Sequence, residues 1–319
     1  MAAQTRFRRK LVTAKPVKRF IRVSKKTFLP GFSGFSLYEV WQPFLAQLRK
    51  TSLAERAAAI SFNVFMAIPP TMIFVFTLVP YLPISKQFIE ELFSIIRDVI
   101  PGSQNNAAII YFLQDFLLRP RNELLSFGLL LAIFFSSNAV MGMLRSFDKN
   151  YFGFEKRRGI EKRQTALKLT LMFFFMAFVC VLLLIAQGAV LKWIGIKSVW
   201  VRYLIVNARW LIILLLVFYN VSFLYRHGPA LKQKWPFITP GSVFATTLMF
   251  LATFLVSFYV NNFNNYNKLY GSISAIFILM LLIFVNALVI IIGFELNVTI
   301  TDLKRNKTNS FTGAIGKNR

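Results

Sequence analysis

The stretch ISAIFILMLLIFVNALVIIIGF, from Ile273 to Phe294, contains no charged residue and only two polar side chains, Ser274 and Asn286. A helix needs ~20 mostly apolar residues to cross the ~30 Å hydrocarbon layer of a bilayer, and helices buried in soluble cores rarely run that long. The stretch therefore reads as a transmembrane helix. Working outward from it, comparable runs occur at about 57–79, 124–144, 166–190, 203–225 and 241–262, and the last continues over 273–298. The expected fold is all-α: a polytopic membrane protein, a bundle of about six transmembrane helices with amphipathic interfacial helices.

Composition agrees. Of the 319 residues, 56% are hydrophobic and 16% charged, with a mean hydropathy of +0.57. An ordinary soluble domain is about 25% charged. The net charge of +26, from 38 Lys and Arg against 12 Asp and Glu, raises nucleic acid as a partner. The charges lie at the termini and in particular loops, however, which is the distribution that orients a membrane protein. Anionic lipid head groups at the cytoplasmic face are thus the expected partner, and nucleic acid is not expected.

Counting Lys and Arg sets the topology. Thirteen precede the first span, seven lie at 145–163, three at 226–234 and five after residue 303, twenty-eight in all; the alternate loops carry eight. The positive-inside rule then puts both termini in the cytoplasm. Residues 1–35 hold ten basic residues and no acid and read as a disordered or lipid-apposed tail. Residues 36–300 form the membrane domain, and 301–319 a second basic tail. Ser36 and Glu39 have capping-box spacing, followed at helical intervals by Leu37, Val40, Trp41, Phe44, Leu45 and Leu48. This predicts an amphipathic helix along the inner membrane surface. Ser52 and Glu55 suggest a second capping box. Pro69-Pro70 is expected to kink or break the first span.

The outer segment 80–123 reads as two short amphipathic helices, either packed across the outer mouth of the bundle or floating at the interface. Tyr259, Phe263, Tyr266 and Tyr270 recur along one helical face past span five, among Asn261, Asn262, Asn264, Asn265 and Asn267. An aromatic belt at the membrane boundary accounts for that face.

Several of these stretches carry a resemblance. LAERAAAISF (Leu53–Phe62) leading into the proline-bearing span, SNAVMGMLRSFDKNY (Ser137–Tyr151) and RGIEKRQTALKLT (Arg158–Thr170) resemble the YihY/BrkB family of bacterial inner-membrane proteins. So does the closing series Trp235-Pro236, Pro240-Gly241, Tyr259, Phe263, Tyr266, Tyr270-Gly271-Ser272 and Gly293-Phe294-Glu295-Leu296-Asn297, with Phe294 where the family pattern has Ala. The resemblance covers about residues 40–300. It implies a six-helix protein of the bacterial cytoplasmic membrane, in a family discussed as envelope or lipid transporters and formerly labelled ribonuclease BN.

The residues do not support the nuclease label. Metal-dependent hydrolysis needs clustered carboxylates or histidines. Here the twelve acids are scattered, His227 is the sole histidine and Cys180 the sole cysteine, and no GxxxxGK[ST] loop occurs. No catalytic, metal or cofactor site is expected, and no enzyme. Polar residues inside the spans are the candidates for a pathway, because such groups face a bundle interior or cavity. They include Ser61, Asn63, Ser136, Ser137, Asn138, Gln187, Asn207, Arg209, Asn220, Asn286 and Glu295, with Arg145 and Asp148 at the inner end of span two and Tyr266 and Tyr270 outside. For any single Asn or Ser, interhelical hydrogen bonding is the simpler role. Arg145 is the expected donor to Glu295, although Arg145 and Asp148 are also spaced to pair with each other. The leading function is transport of a solute or lipid. The alternative is a non-transporting scaffold binding envelope partners, and either leaves room for a homo-oligomer.

Overall fold

The computed structural model describes residues 22, 24–28, 31–32, 34–81, 122–148, 154–155, 157–193, 199–262 and 273–316, with backbone alone at 79, 181–193, 199–210, 260–262, 273–275 and 309–316. Its long elements are α1 (Leu37–Lys50), α2 (Leu53–Leu78), α3 (Asn122–Phe147), α4 (Gly159–Trp193), α5 (Val199–His227), α6 (Pro240–Asn262) and α7 (Ile273–Gly316). Among the described residues β structure is limited to two isolated bridges. Five helices, α2, α3, α4, α6 and α7, are long and apolar enough to cross a membrane, and Leu211–His227 of α5 forms a further apolar stretch. The protein is an all-helical polytopic membrane protein.

The helices group into two compact units. The first comprises Met1–Ala58, Ser146–Lys156 and Phe218–Arg319; the second comprises Ala59–Arg145 and Arg157–Val217.

In the first unit, α6 and α7 cross at small residues. A methyl group built on Gly241 would lie 2.5 Å from Asn297 Oδ1, and one on Gly293 would lie 2.6 Å from the Ala245 Cβ and 2.7 Å from the Gly241 carbonyl. Only hydrogen side chains allow that approach. The start of α6 is tied down as well. Thr239 and Ser242 exchange bonds of 3.1 Å between hydroxyl oxygens and backbone N–H groups, Gly241 N–H donates to Asn297 Oδ1 (2.8 Å), and Asn297 Nδ2 donates to Thr239 Oγ1 (2.9 Å). Pro240 opens α6, where a missing N–H does no harm.

Phe294, the departure from the family pattern, is fully buried. It stacks on Phe147 (centroids 4.2 Å apart) and meets Trp235, Phe154 and Tyr225 at tilted or edge-on angles. The larger ring fills a space defined by four other aromatics.

The predicted capping box of α1 forms: Glu39 N–H donates to Ser36 Oγ (3.3 Å), and Ser36 N–H donates to the Glu39 carboxylate (2.8 Å). What α1 covers differs from the expectation of a helix simply lying on lipid. Val40 and Phe44 are buried in a cluster with Phe32, Leu296 and Ile300, so one apolar face packs on α7. Burying two such side chains stabilises by about 3–6 kcal/mol. Trp41 and Leu45 point outward. Part of the stretch read as a disordered or lipid-apposed tail, before residue 36, also makes contacts. Ser24 and Phe32 are buried, and Leu37 N–H donates to the Thr27 carbonyl (3.0 Å). Phe32 supplies the apolar anchor that the basic residues before it lack.

In the second unit α2 does not break at Pro69-Pro70; the helix is continuous to Leu78. By helix geometry the carbonyls left without their usual donors are those of Phe65 and Met66. The Gly128 position on α3 approaches Ile73 and Phe74 of α2 at 3.4 Å, and Gly142 approaches Asn63 at the same distance. The outer segment between Tyr81 and Asn122 lies outside the described residues. The helix α7 continues to Gly316, through most of the C-terminal basic segment.

Candidate functional site

Two polar constellations stand out, one in each unit. The first surrounds Glu295, which is 0% exposed. Its Oε1 accepts from Arg56 Nη1 at 2.5 Å, and its Oε2 accepts from Gln47 Nε2 at 3.3 Å. Arg56, itself 7% exposed, donates further from Nε to Ser146 Oγ (2.8 Å) and from Nη2 to the Ser146 carbonyl (2.6 Å). One guanidinium thus joins the first turn of α2, the end of α3 and the middle of α7, while Gln47 adds α1. A buried ion pair is tolerated only when its remaining donors and acceptors are satisfied. Here three of Arg56's donors are engaged.

The expected donor, Arg145, is not the one used: it is exposed and forms no ion pair with Glu295 or Asp148 among the described residues. Helical angles explain this. Steps of 100° put Leu144, Ser146 and Phe147 on one buried arc of α3 and leave Arg145 in the gap. In α2, Arg56 shares the buried arc of Ala57 and Ile60, so its head points inward. Counting Arg56 as one more charge before the first span concealed that role. Its place directly before the small-residue run Ala57-Ala58-Ala59 was the available signal.

The second constellation lies in the second unit. Arg163 Nη1, near the start of α4, donates to Asn138 Oδ1 at 2.6 Å, and the guanidinium carbon lies 5.1 Å from the Phe134 ring centroid. Phe134 and Asn138 occupy the middle third of α3. Arg163 pairs with no carboxylate among the described residues. Its charge is held by a neutral amide and an aromatic face, a cation–π contact. Arg163 is the fifth residue of α4, so its guanidinium reaches from that helix start to a neutral amide on the neighbouring helix rather than to a counter-charge. Arg163 and Asn138 are both half-buried, and Phe134 is 50% exposed, so the group is open on one side. One turn from Asn138 on the same face of α3 is Gly142, which Asn63 of α2 approaches. Asn63 donates from Nδ2 to the Ala59 carbonyl of its own helix (2.7 Å).

The other candidates separate. Ser61 is buried, and Asp148, just beyond α3, is half-buried. Asn286 donates to the Leu282 carbonyl (2.8 Å) and reaches Thr253 on α6 at 3.5 Å, the interhelical role expected of a lone Asn. The side chain of Arg209 and both Tyr266 and Tyr270 lie outside the described residues. Sequence reasoning missed Arg56, Arg163, Gln47, Ser146 and Asn297 as members of these networks.

Comparison with known proteins follows the same lines. Residues 44–313 match the family model described as virulence factor BrkB. A protein of Bacillus subtilis named as ribonuclease-like, YfkH, is 30% identical over 259 residues, covering 78% of this chain and 90% of that protein. A UPF0761 membrane protein of Tolumonas auensis is 27% identical over 89 residues, 28% of this chain and 30% of that protein. No solved structure matches. The chain belongs to the BrkB family of membrane proteins.

Proposed function

We propose that the protein is a transporter- or channel-like component of the bacterial cytoplasmic membrane, with both termini in the cytoplasm, that moves a solute or lipid and catalyses no reaction. The observation that carries this reading is Arg163, set against Asn138 in the middle third of α3 with one side open. A scaffold working through its basic tails has no use for a guanidinium held against a neutral amide with one side open. A hydrolase would need grouped acids or histidines, and no group of three metal-binding side chains occurs among the described residues. The ribonuclease-like name belongs to the Bacillus relative, and no such constellation supports it among the described residues.

Reconstitution tests the reading. Purified protein in liposomes is assayed for transbilayer movement of a fluorescent anionic phospholipid and for release of a trapped mixture of small anions, cations and sugars. Movement of one class above protein-free vesicles is expected. Vesicles as tight as the controls to every class would favour the scaffold, which should then retain envelope proteins through its basic tails.

A further inference from the structure

We infer that the Arg163–Asn138 pair is a recognition site for an oxyanion, a phosphate borne by a lipid head group or a free phosphate. The inference rests on the transport reading for its purpose but is tested by binding alone.

A guanidinium carries five N–H donors in a planar fork that matches a phosphate or carboxylate bidentately. Asn138 takes one of Arg163's donors, from Nη1, and the Phe134 ring holds the group from its face. No other described residue bonds to this side chain, and its surroundings leave it half exposed. Among the described residues the fork is therefore positioned but not neutralised. The contrast with Arg56 is informative. Arg56 also lies near a helix start, yet it has a carboxylate at 2.5 Å and two bonds to Ser146, and it is closed off. The chain can pair a buried arginine when the role is structural, and at Arg163 it places a neutral amide instead. Asn138 orients the guanidinium without competing for its charge. One turn further along α3, Gly142 lets Asn63 of α2 approach, which adds a second amide beside the group.

The test uses full-length, delipidated protein in maltoside micelles. One arm titrates phosphatidylglycerol against phosphatidylcholine, read by native mass spectrometry. The other titrates sodium phosphate against sodium chloride at equal ionic strength, read by calorimetry. Wild type should bind saturably in at least one arm. Binding of the lipid alone identifies a head group, and binding of phosphate identifies a soluble oxyanion. Arg163→Gln keeps an amide to meet Asn138 and should weaken binding about tenfold or more, the scale of one charge-assisted bond. Arg163→Lys should lose less. Asn138→Asp supplies an internal carboxylate, so this variant should stay folded while binding falls as in Arg163→Gln. The exposed Arg145→Gln controls for net charge and should bind as wild type. The site is refuted if neither probe binds wild type, if Asn138→Asp binds normally, or if Arg145→Gln loses as much as Arg163→Gln. Binding without flux would overturn only the transport reading.

Discussion

Removing the Glu295 carboxylate should be among the most destabilising single changes in the first unit. In Glu295→Ala, Arg56 keeps its two bonds to Ser146 but loses its counter-charge at 2.5 Å while remaining buried. Breaking a buried pair from one side costs about 3–5 kcal/mol, mostly the penalty of the stranded charge. Arg56→Ala should cost at least as much, because three hydrogen bonds disappear and the buried Glu295 loses its counter-charge. Glu295→Gln retains an acceptor for the guanidinium and should be milder. The double change Arg56→Ala/Glu295→Ala strands no charge, so its loss should fall short of the sum by about 0.5–3 kcal/mol. Exposed Arg145→Ala should stay within about 0.5 kcal/mol of wild type and be additive with Glu295→Ala. Equilibrium unfolding of the six purified variants, the Arg145→Ala/Glu295→Ala double included, is followed by circular dichroism in mixed micelles. Additive losses for Arg56 and Glu295, or coupling of Glu295 to Arg145 instead, would refute the assignment.

Four further outcomes follow, three from the geometry and one from the charge count. Gly241→Ala and Gly293→Ala should each cost about 1–3 kcal/mol in the same unfolding measurement, because each new methyl meets backbone or a fixed side chain closer than contact distance. Asn297→Ala leaves the Gly241 N–H unbonded at the buried start of α6, and hydrogen exchange at Gly241 should accelerate in that variant. The Ser36 N–H and hydroxyl hold the Glu39 carboxyl below its ordinary value of 4.5. Its contribution to α1 is therefore complete above that value and lost as pH falls through the lowered one, so α1 amide protection should drop there in wild type and not in Glu39→Gln. Reporter fusions at 152–160 and beyond 305 should report cytoplasm and those at 103–106 the outside, and a cytoplasmic signal from 103–106 would overturn the charge-derived topology.

How much of this was legible beforehand depends on the range of the interaction. Long uncharged runs such as Ile273–Phe294 declare a membrane helix because the requirement they meet, length in hydrocarbon, is local. The Ser36–Glu39 box and the Pro240 start were equally readable, since each partner lies within one turn. Membership in the BrkB family was visible in ordered short motifs. Of the two outcomes expected at Pro69-Pro70, a kink or a break, the break does not occur, because a helix already formed on both sides can carry two missing donors.

Only the tertiary structure chose the partners. Glu295 is separated from Arg56 by most of the chain, and sequence places several arginines within plausible reach. The choice turns on 100° steps around α2 and α3, which send Arg56 inward and Arg145 outward. The same holds for Arg163, which counts as one more basic residue of an inner loop until α4 brings it beside Asn138. Sequence determines which segments enter the membrane, because solvation acts on each residue separately. Which charges meet there is decided by helix rotation and packing, properties of several helices at once.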